Sequence, residues 1–309
     1  MDFWVGCLKA LKTKQVLALL LVVDSRGSSP GKAGAKMAIT ADGASFGTIG
    51  GGLVEHDLSE QALALLHEPE SCTRLFYLQH NGSGQVCGGT QTVLFYRLTL
   101  ADLCVLEQVD QAFKDQKIRQ LTFTPQELIL GDSEEGSPES FFSDSSETGW
   151  LYRELIGVQK AAYIIGGGHV SLALSQVLAL LGFNITVLDQ RQAVKTMDDN
   201  CFSQKKIVAP YSEVDQLVPD GKQVYIFIMT HSHLTDQQVL SKLANKQWAY
   251  LGLLGSKRKI MLLQNNLSEL IGPERWELIH APLGLPINSS TPMEIAISIA
   301  AELIQLKQV

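Results

Sequence analysis

A short apolar stretch, Ala162–Ile165, runs directly into Gly166-Gly167-Gly168 and then into a helical pattern. That pattern would bury Val170, Leu174, Val177, Leu178 and Leu181, and it ends in a second apolar stretch, Ile185–Leu188. Two strands joined through a helix lie parallel, because only a long crossover returns the chain to the same end of a sheet. Two more apolar stretches, Val224–Met229 and Tyr250–Leu254, repeat the alternation. The expectation is a parallel sheet covered on both faces, a Rossmann-like domain over 158–309. Its first turn fits G-x-G-x-x-G except that Ser171 replaces the third glycine. Such a turn brings backbone N–H groups and a helix N-terminus up to a phosphate. Gly166, Gly168 and His169 are thus candidates for holding a NAD-type dinucleotide. Asp189, 23 residues after Gly166, stands where a carboxylate would take the ribose 2′-hydroxyl. The nearby Arg191 leaves NAD against NADP open.

The amino-terminal half reads differently. Residues 2–14 place Trp4, Leu8 and Leu11 on one helical face. Val16–Val23 is the longest apolar run, far short of a bilayer span, and reads as a buried strand. A glycine- and proline-rich loop follows (Ser25–Ala35), then an extended stretch (Lys36–Ala41), a turn at Asp42-Gly43 and a return strand (Ser45–Ile49). Gly50-Gly51-Gly52 opens a helix, and Thr92–Leu98 closes a smaller α/β domain over 1–100. Residues 101–157 read as a connector with an acidic loop. Between 131 and 149 there are six acidic residues, no Lys or Arg, and four Gly or Pro breakers, with Phe141 and Phe142 out of place in a plain linker. The whole chain is α/β.

Composition narrows the partners. With 25 Lys+Arg against 32 Asp+Glu the net charge is −7, which argues against nucleic acid. Hydrophobic residues at 45% and charged residues at 18% exclude a mainly disordered chain. An odd number of cysteines, with no C-x-x-C, argues against a disulfide framework or a zinc knuckle. The expected location is cytoplasmic, with no membrane association.

Three further groups could carry chemistry. Gly50, Gly51 and Gly52 offer a second set of backbone donors, with Arg26, Lys32 and Lys36 nearby as cations. Cys87, before Gly88-Gly89, could present sulfur to a soft metal or a persulfide, or be an inert core thiol. His231, His233 and Asp236 follow the 224–229 strand as H-x-H-x-x-D. They could hold a metal, or cap the next helix with Thr235 or Asp236 as N-cap. Lys257, Arg258 and Lys259 after Gly252–Ser256 are either an anion-facing helix start or a solvated basic surface. Thr291, Pro292 and Glu294 spell a capping box for the last helix. No nucleophile–base pair or acid pair is evident from spacing, so no residue is assigned as catalytic.

Gly27-Ser28-Ser29-Pro30, Gly34-Ala35-Lys36-Met37, the Thr48–Glu55 turn and Cys87-Gly88-Gly89 together resemble the amino-terminal domain of the xanthine dehydrogenase accessory factor (XdhC–CoxI) family. The Gly166–His169 turn, Asp189–Arg191, Thr230-His231-Ser232-His233, Gly252–Lys257, Ala281–Leu285 and Thr291–Ala296 resemble that family's Rossmann-like domain. The resemblance implies a cofactor-insertion chaperone more than an enzyme. Such a factor binds molybdenum cofactor and assists its sulfuration or insertion into a molybdenum hydroxylase such as xanthine dehydrogenase. A sulfur donor would then be a further partner, and a homodimer stays open. Two positions depart from the family pattern: Leu53 stands where many members carry Cys, and Gly31 where many carry Arg. Read without the resemblance, the residues also allow a NAD-dependent oxidoreductase, with His231 or His233 moving protons, or a non-enzymatic nucleotide-binding protein.

Overall fold

A computed structural model of the chain describes residues 3–13, 15–68, 73–79, 89–115, 117–134, 137–145, 149–157 and 160–306. The chain divides into two compact units, Met1–Val158 and Gln159–Val309.

The first unit holds α1 (Phe3–Lys12), β1 (Leu17–Arg26), β2 (Lys36–Thr40), β3 (Ser45–Thr48), α2 (Gly52–Leu66), β4 (Thr73–Gln79) and β5 (Thr90–Leu98). Its strands form one sheet in the order β3-β2-β1-β5-β4, antiparallel at every pairing. β1 is central, and it is apolar over Leu17–Val23 because both faces of that stretch are covered. Leu17, Leu19, Leu21 and Val23 enter a core with α1, while Ala18, Leu20 and Val22 enter a second core with Leu58, Ala62 and Leu65 of α2. Trp4, Cys7, Leu8 and Leu11 of α1 are buried at helical spacing.

Residues 101–157 are not a connector. They build α3 (Leu103–Lys114) and four strands, β6 (Arg119–Phe123), β7 (Leu128–Asp132), β8 (Ser140–Ser145) and β9 (Gly149–Ile156). These strands form an antiparallel sheet in the order β7-β6-β9-β8. Leu106, Val109, Phe123, Tyr152 and Ile156 share one core with Trp4 and Leu19. Two of the acidic residues of this stretch, Asp132 and Asp144, lie on the edge strands β7 and β8. Charge is usual there because it deters pairing with a second sheet. Phe142 packs against this core and Phe141 is exposed, as the alternation of a strand requires.

The second unit is the expected α/β layer structure. β10 (Ala161–Ile165), α4 (His169–Leu180), β11 (Asn184–Asp189), α5 (Lys195–Asp198) and β12 (Lys205–Val208) form its first half. The second half comprises α6 (Val214–Leu217), β13 (Val224–Ile228), α7 (His233–Leu243), β14 (Tyr250–Leu253), α8 (Lys257–Asn266), α9 (Pro273–Glu277) and α10 (Pro292–Leu306). The sheet order is β12-β11-β10-β13-β14, with every pair parallel. The order reverses between β10 and β13, and ligands of such sheets bind at that crossing, beyond the carboxyl ends of the strands. Thr291 Oγ1 accepts from the Glu294 N–H at 3.3 Å and Glu294 accepts from the Thr291 N–H at 3.0 Å, so the capping box is formed. Among the described residues no helix is long and apolar enough to cross a membrane.

Candidate functional site

The turn after β10 is shaped by its neighbours. Gly166 has φ +112°, and a Cβ there would stand 2.4 Å from the Met229 carbonyl oxygen and 3.1 Å from the Thr230 Cα. Only glycine lets β10 and the end of β13 approach so closely. Gly168 is different. Its φ of −76° is ordinary, and nothing lies within 4 Å of where its Cβ would be. The fold does not require glycine there, whereas a ligand lying against the start of α4 would. His169 opens that helix and is exposed.

Asp189 corrects the expected ribose contact. Its side chain is completely buried. One oxygen accepts from the Arg191 N–H at 2.9 Å and Arg191 Nε at 3.0 Å. The other accepts from the Gly167 N–H at 2.8 Å and Arg191 Nη2 at 2.7 Å. A carboxylate offers about four acceptor positions, and four donors fill them. Burial opposes the charge, but the Arg191 and Gly167 donors outweigh it and hold the carboxyl below the ordinary aspartate range. Thr196 Oγ1 donates to the Gly167 carbonyl, and Met197 lies 2.9 Å from where a Gly167 Cβ would be. The β11 side of the turn is therefore filled by the chain itself, and Asp189 is a strut.

The open space lies on the other side. At the ends of β13 and β14 a cavity of about 690 Å³ is lined by Thr230, His231, Ser232, His233, Ser256, Arg258, Lys259 and Leu262. Two helices begin at its wall. Ser232 caps α7 by accepting from the Thr235 N–H at 3.2 Å, and Ser256 caps α8 by accepting from the Lys259 N–H at 3.4 Å. The N-cap of α7 is thus Ser232, not Thr235 or Asp236. Each helix start leaves backbone donors without intrahelical partners, and each carries partial positive charge. Arg258 is exposed at the same wall.

The expected metal group does not assemble. Asp236 is completely buried. One of its oxygens accepts from the Thr230 N–H at 2.9 Å and the Thr230 hydroxyl at 2.6 Å; the other meets Lys259. His231 and His233 are exposed. Among the described residues no three His, Cys, Asp or Glu side chains are placed to hold a metal ion. Helical spacing turns Asp236 into the protein, where it neutralises Lys259 and ties α7 to α8.

In the first unit the loops expected to act together do meet, around one another. A Cβ on Gly31 would stand 2.0 Å from the Ile49 carbonyl oxygen, and one on Gly50 2.5 Å from the Gly31 nitrogen. Gly89 abuts Arg26 and Ser28. This contact explains glycine at position 31: no side chain fits between these backbones. Two of the three N–H donors of the Gly50–Gly52 turn are already engaged, however, Gly50 with Thr48 Oγ1 at 3.2 Å and Gly51 with Glu55. Glu55 Oε2 accepts from the Ile49 N–H at 2.9 Å, the Gly51 N–H at 3.0 Å and the Thr48 hydroxyl at 2.6 Å. Burial raises its pKa, but these donors outweigh that and hold it below the ordinary glutamate range. The turn binds an internal carboxylate, so an external anion would have to displace Glu55. Leu53 is 72% exposed. Cys87 lies outside the described residues.

Two residues central to these arrangements escape the sequence reading. Glu55 carries a usable signal, an acid in the first turn of a helix that follows three glycines. Glu302 carries another, a lone charge late in the apolar α10. It accepts from the Tyr250 hydroxyl at 2.9 Å and the Gly284 N–H at 2.7 Å and lies 2.7 Å from His280 Nδ1. His280 stacks on Tyr250 with centroids 4.4 Å apart, so Glu302 fixes the segment beside β14.

These features define a two-unit protein with a Rossmann-type domain and a donor-rich, cationic cavity at the crossing end of its sheet. The model of the XdhC Rossmann domain matches residues 162–303, and that of the XdhC and CoxI family matches residues 10–77. The chain belongs to this family. It is 29% identical over 302 residues to the uncharacterized protein YqeB of Escherichia coli K12, a match covering 94% of this chain. The chain spans only 43% of that relative's length. It is 25% identical over 323 residues to a probable xanthine dehydrogenase subunit of Bacillus subtilis 168, covering 96% of this chain and 95% of that one. A crystal structure described as a xanthine dehydrogenase from Bacillus halodurans matches with a TM-score of 0.77 and 25% identity, over 99% of this chain and 96% of the other.

Proposed function

We propose that the protein is a non-enzymatic accessory factor that holds molybdenum cofactor by its phosphate and passes it to a molybdenum hydroxylase of the xanthine dehydrogenase kind. The observation that carries this reading is the cavity between the starts of α7 and α8. Two sets of helix-start donors, two serine hydroxyls and Arg258 suit a compact dianion such as a phosphate monoester. The filled β11 side favours one phosphate group over an extended dinucleotide.

The fit is to the phosphate end of the cofactor. Bound cofactor would supply the redox-active molybdenum centre to the client. This chain's part is to hold and orient the anionic tail. No thiolate ligand is needed for that grip, and position 53 offers none. The names of the Bacillus relatives support a xanthine dehydrogenase-type client.

The test is retention. Purified protein is incubated with molybdenum cofactor, desalted, and its molybdenum and pterin content measured. Stoichiometric retention is expected, falling at least about tenfold in Arg258→Ala, the loss that removing a charge-assisted hydrogen bond brings. Retention by neither protein, or equal retention by both, overturns the reading. NAD retained in place of the pterin returns the site to a dinucleotide.

A further inference from the structure

The first unit contains a small cavity of about 220 Å³ with aromatic walls, Phe3, Trp4 and Phe113, and two charged groups, Lys36 and Glu154. Glu154 is 5% exposed. Its Oε2 accepts from Lys36 Nζ at 2.8 Å and from the Tyr152 hydroxyl at 3.1 Å. Burial and the Glu154 charge push the Tyr152 hydroxyl far up, so that hydroxyl stays a donor. Glu154 Oε1 is buried and, among the described residues, has no hydrogen-bond partner. A buried carboxylate oxygen left unpaired is costly, so such an atom marks a place for a donor. Lys36 Nζ lies 5.5 Å from the Trp4 ring centroid and has ammonium hydrogens beyond the one given to Glu154.

From these groups we infer a binding site for a neutral, planar nitrogen heterocycle that carries an N–H donor beside a carbonyl acceptor. The N–H meets Glu154 Oε1 and the carbonyl meets Lys36, while the ring lies against the aromatic walls. The charge balance selects a neutral ligand. An anion would face Glu154 and a cation would face Lys36, whereas the pair together is neutral. The volume is below that of ordinary drug-sized pockets and admits one or two fused rings. The site uses other residues, in the other unit, than the proposed phosphate grip, so either reading can fail alone.

The experiment is calorimetric titration of the whole protein with hypoxanthine, which has the N–H and carbonyl edge, and with purine and indole, which lack it. Hypoxanthine is expected to bind at least about tenfold more tightly than either, since a site built around polar groups rejects analogues that leave them unpaired. The double variant Lys36→Met/Glu154→Gln removes both charges together and strands neither. It should keep the wild-type circular dichroism spectrum and lose at least about tenfold in hypoxanthine affinity. The proposal fails if wild type binds no hypoxanthine at millimolar concentration, if purine or indole binds as well, or if the folded double variant binds undiminished. Should the variant not fold, the comparison of the three ligands on wild type still decides.

Discussion

Replacing Asp189 by Asn separates a strut from a ligand contact. The amide keeps the volume but turns one acceptor oxygen into an NH2 group. Each oxygen of Asp189 now takes two donors, so two hydrogen bonds to a charged acceptor are lost whichever way the amide points. At about 1.5–3 kcal/mol each, that is about 3–6 kcal/mol. The Arg191 side chain is 44% exposed and can rehydrate, which brings the expected loss to about 2–4 kcal/mol. For a domain of this size the melting point should fall by about 5–15 °C. Thermal unfolding by circular dichroism measures this, with NAD titration run in parallel. A loss under about 1 kcal/mol, with NAD affinity falling instead, would refute the strut and restore Asp189 as a ribose acceptor.

Gly168→Val should leave the melting point within about 1 °C, because the position has ordinary φ and free space. It should nevertheless weaken binding of any ligand that lies against the start of α4, read as NAD affinity by titration; NAD affinity equal to wild type removes Gly168 from the ligand surface. Hydrogen bonds from Thr291 and Ser290 lower the Glu294 pKa to about 2. The folded value lies below the unfolded one, so its support for the start of α10 is complete above about pH 4.5 and is lost as pH falls toward 2. The protection factors of the Ser290 and Thr291 amides, taken against their intrinsic exchange rates at each pH, should fall over that window and stay level over about pH 5–8; constant protection factors down to about pH 2 contradict the cap.

The second unit was legible because its signals are local and agree with one another. The apolar strands, the Gly166 turn and the capping box at Thr291 each demand one conformation. The site was less so. A carboxylate at the end of β11 looks the same in sequence whether it meets a ribose or an arginine two residues on, and only the path of Arg191 decides. His231, His233 and Asp236 have metal-like spacing, but spacing does not say which face of α7 turns inward. Residues 101–157 misled through composition, because serine and acid read as loop while edge strands tolerate both. The pair Phe141 and Phe142, one out and one in, was the overlooked mark of a strand.

Successive residues of β1 enter different cores, one shared with α1, α3, β6 and β9 and the other with α2. The two cores are therefore welded along a single backbone. Neither can melt while the other stays ordered, and a fragment cut near residue 100 would lay bare half of that weld and aggregate rather than survive as a smaller domain.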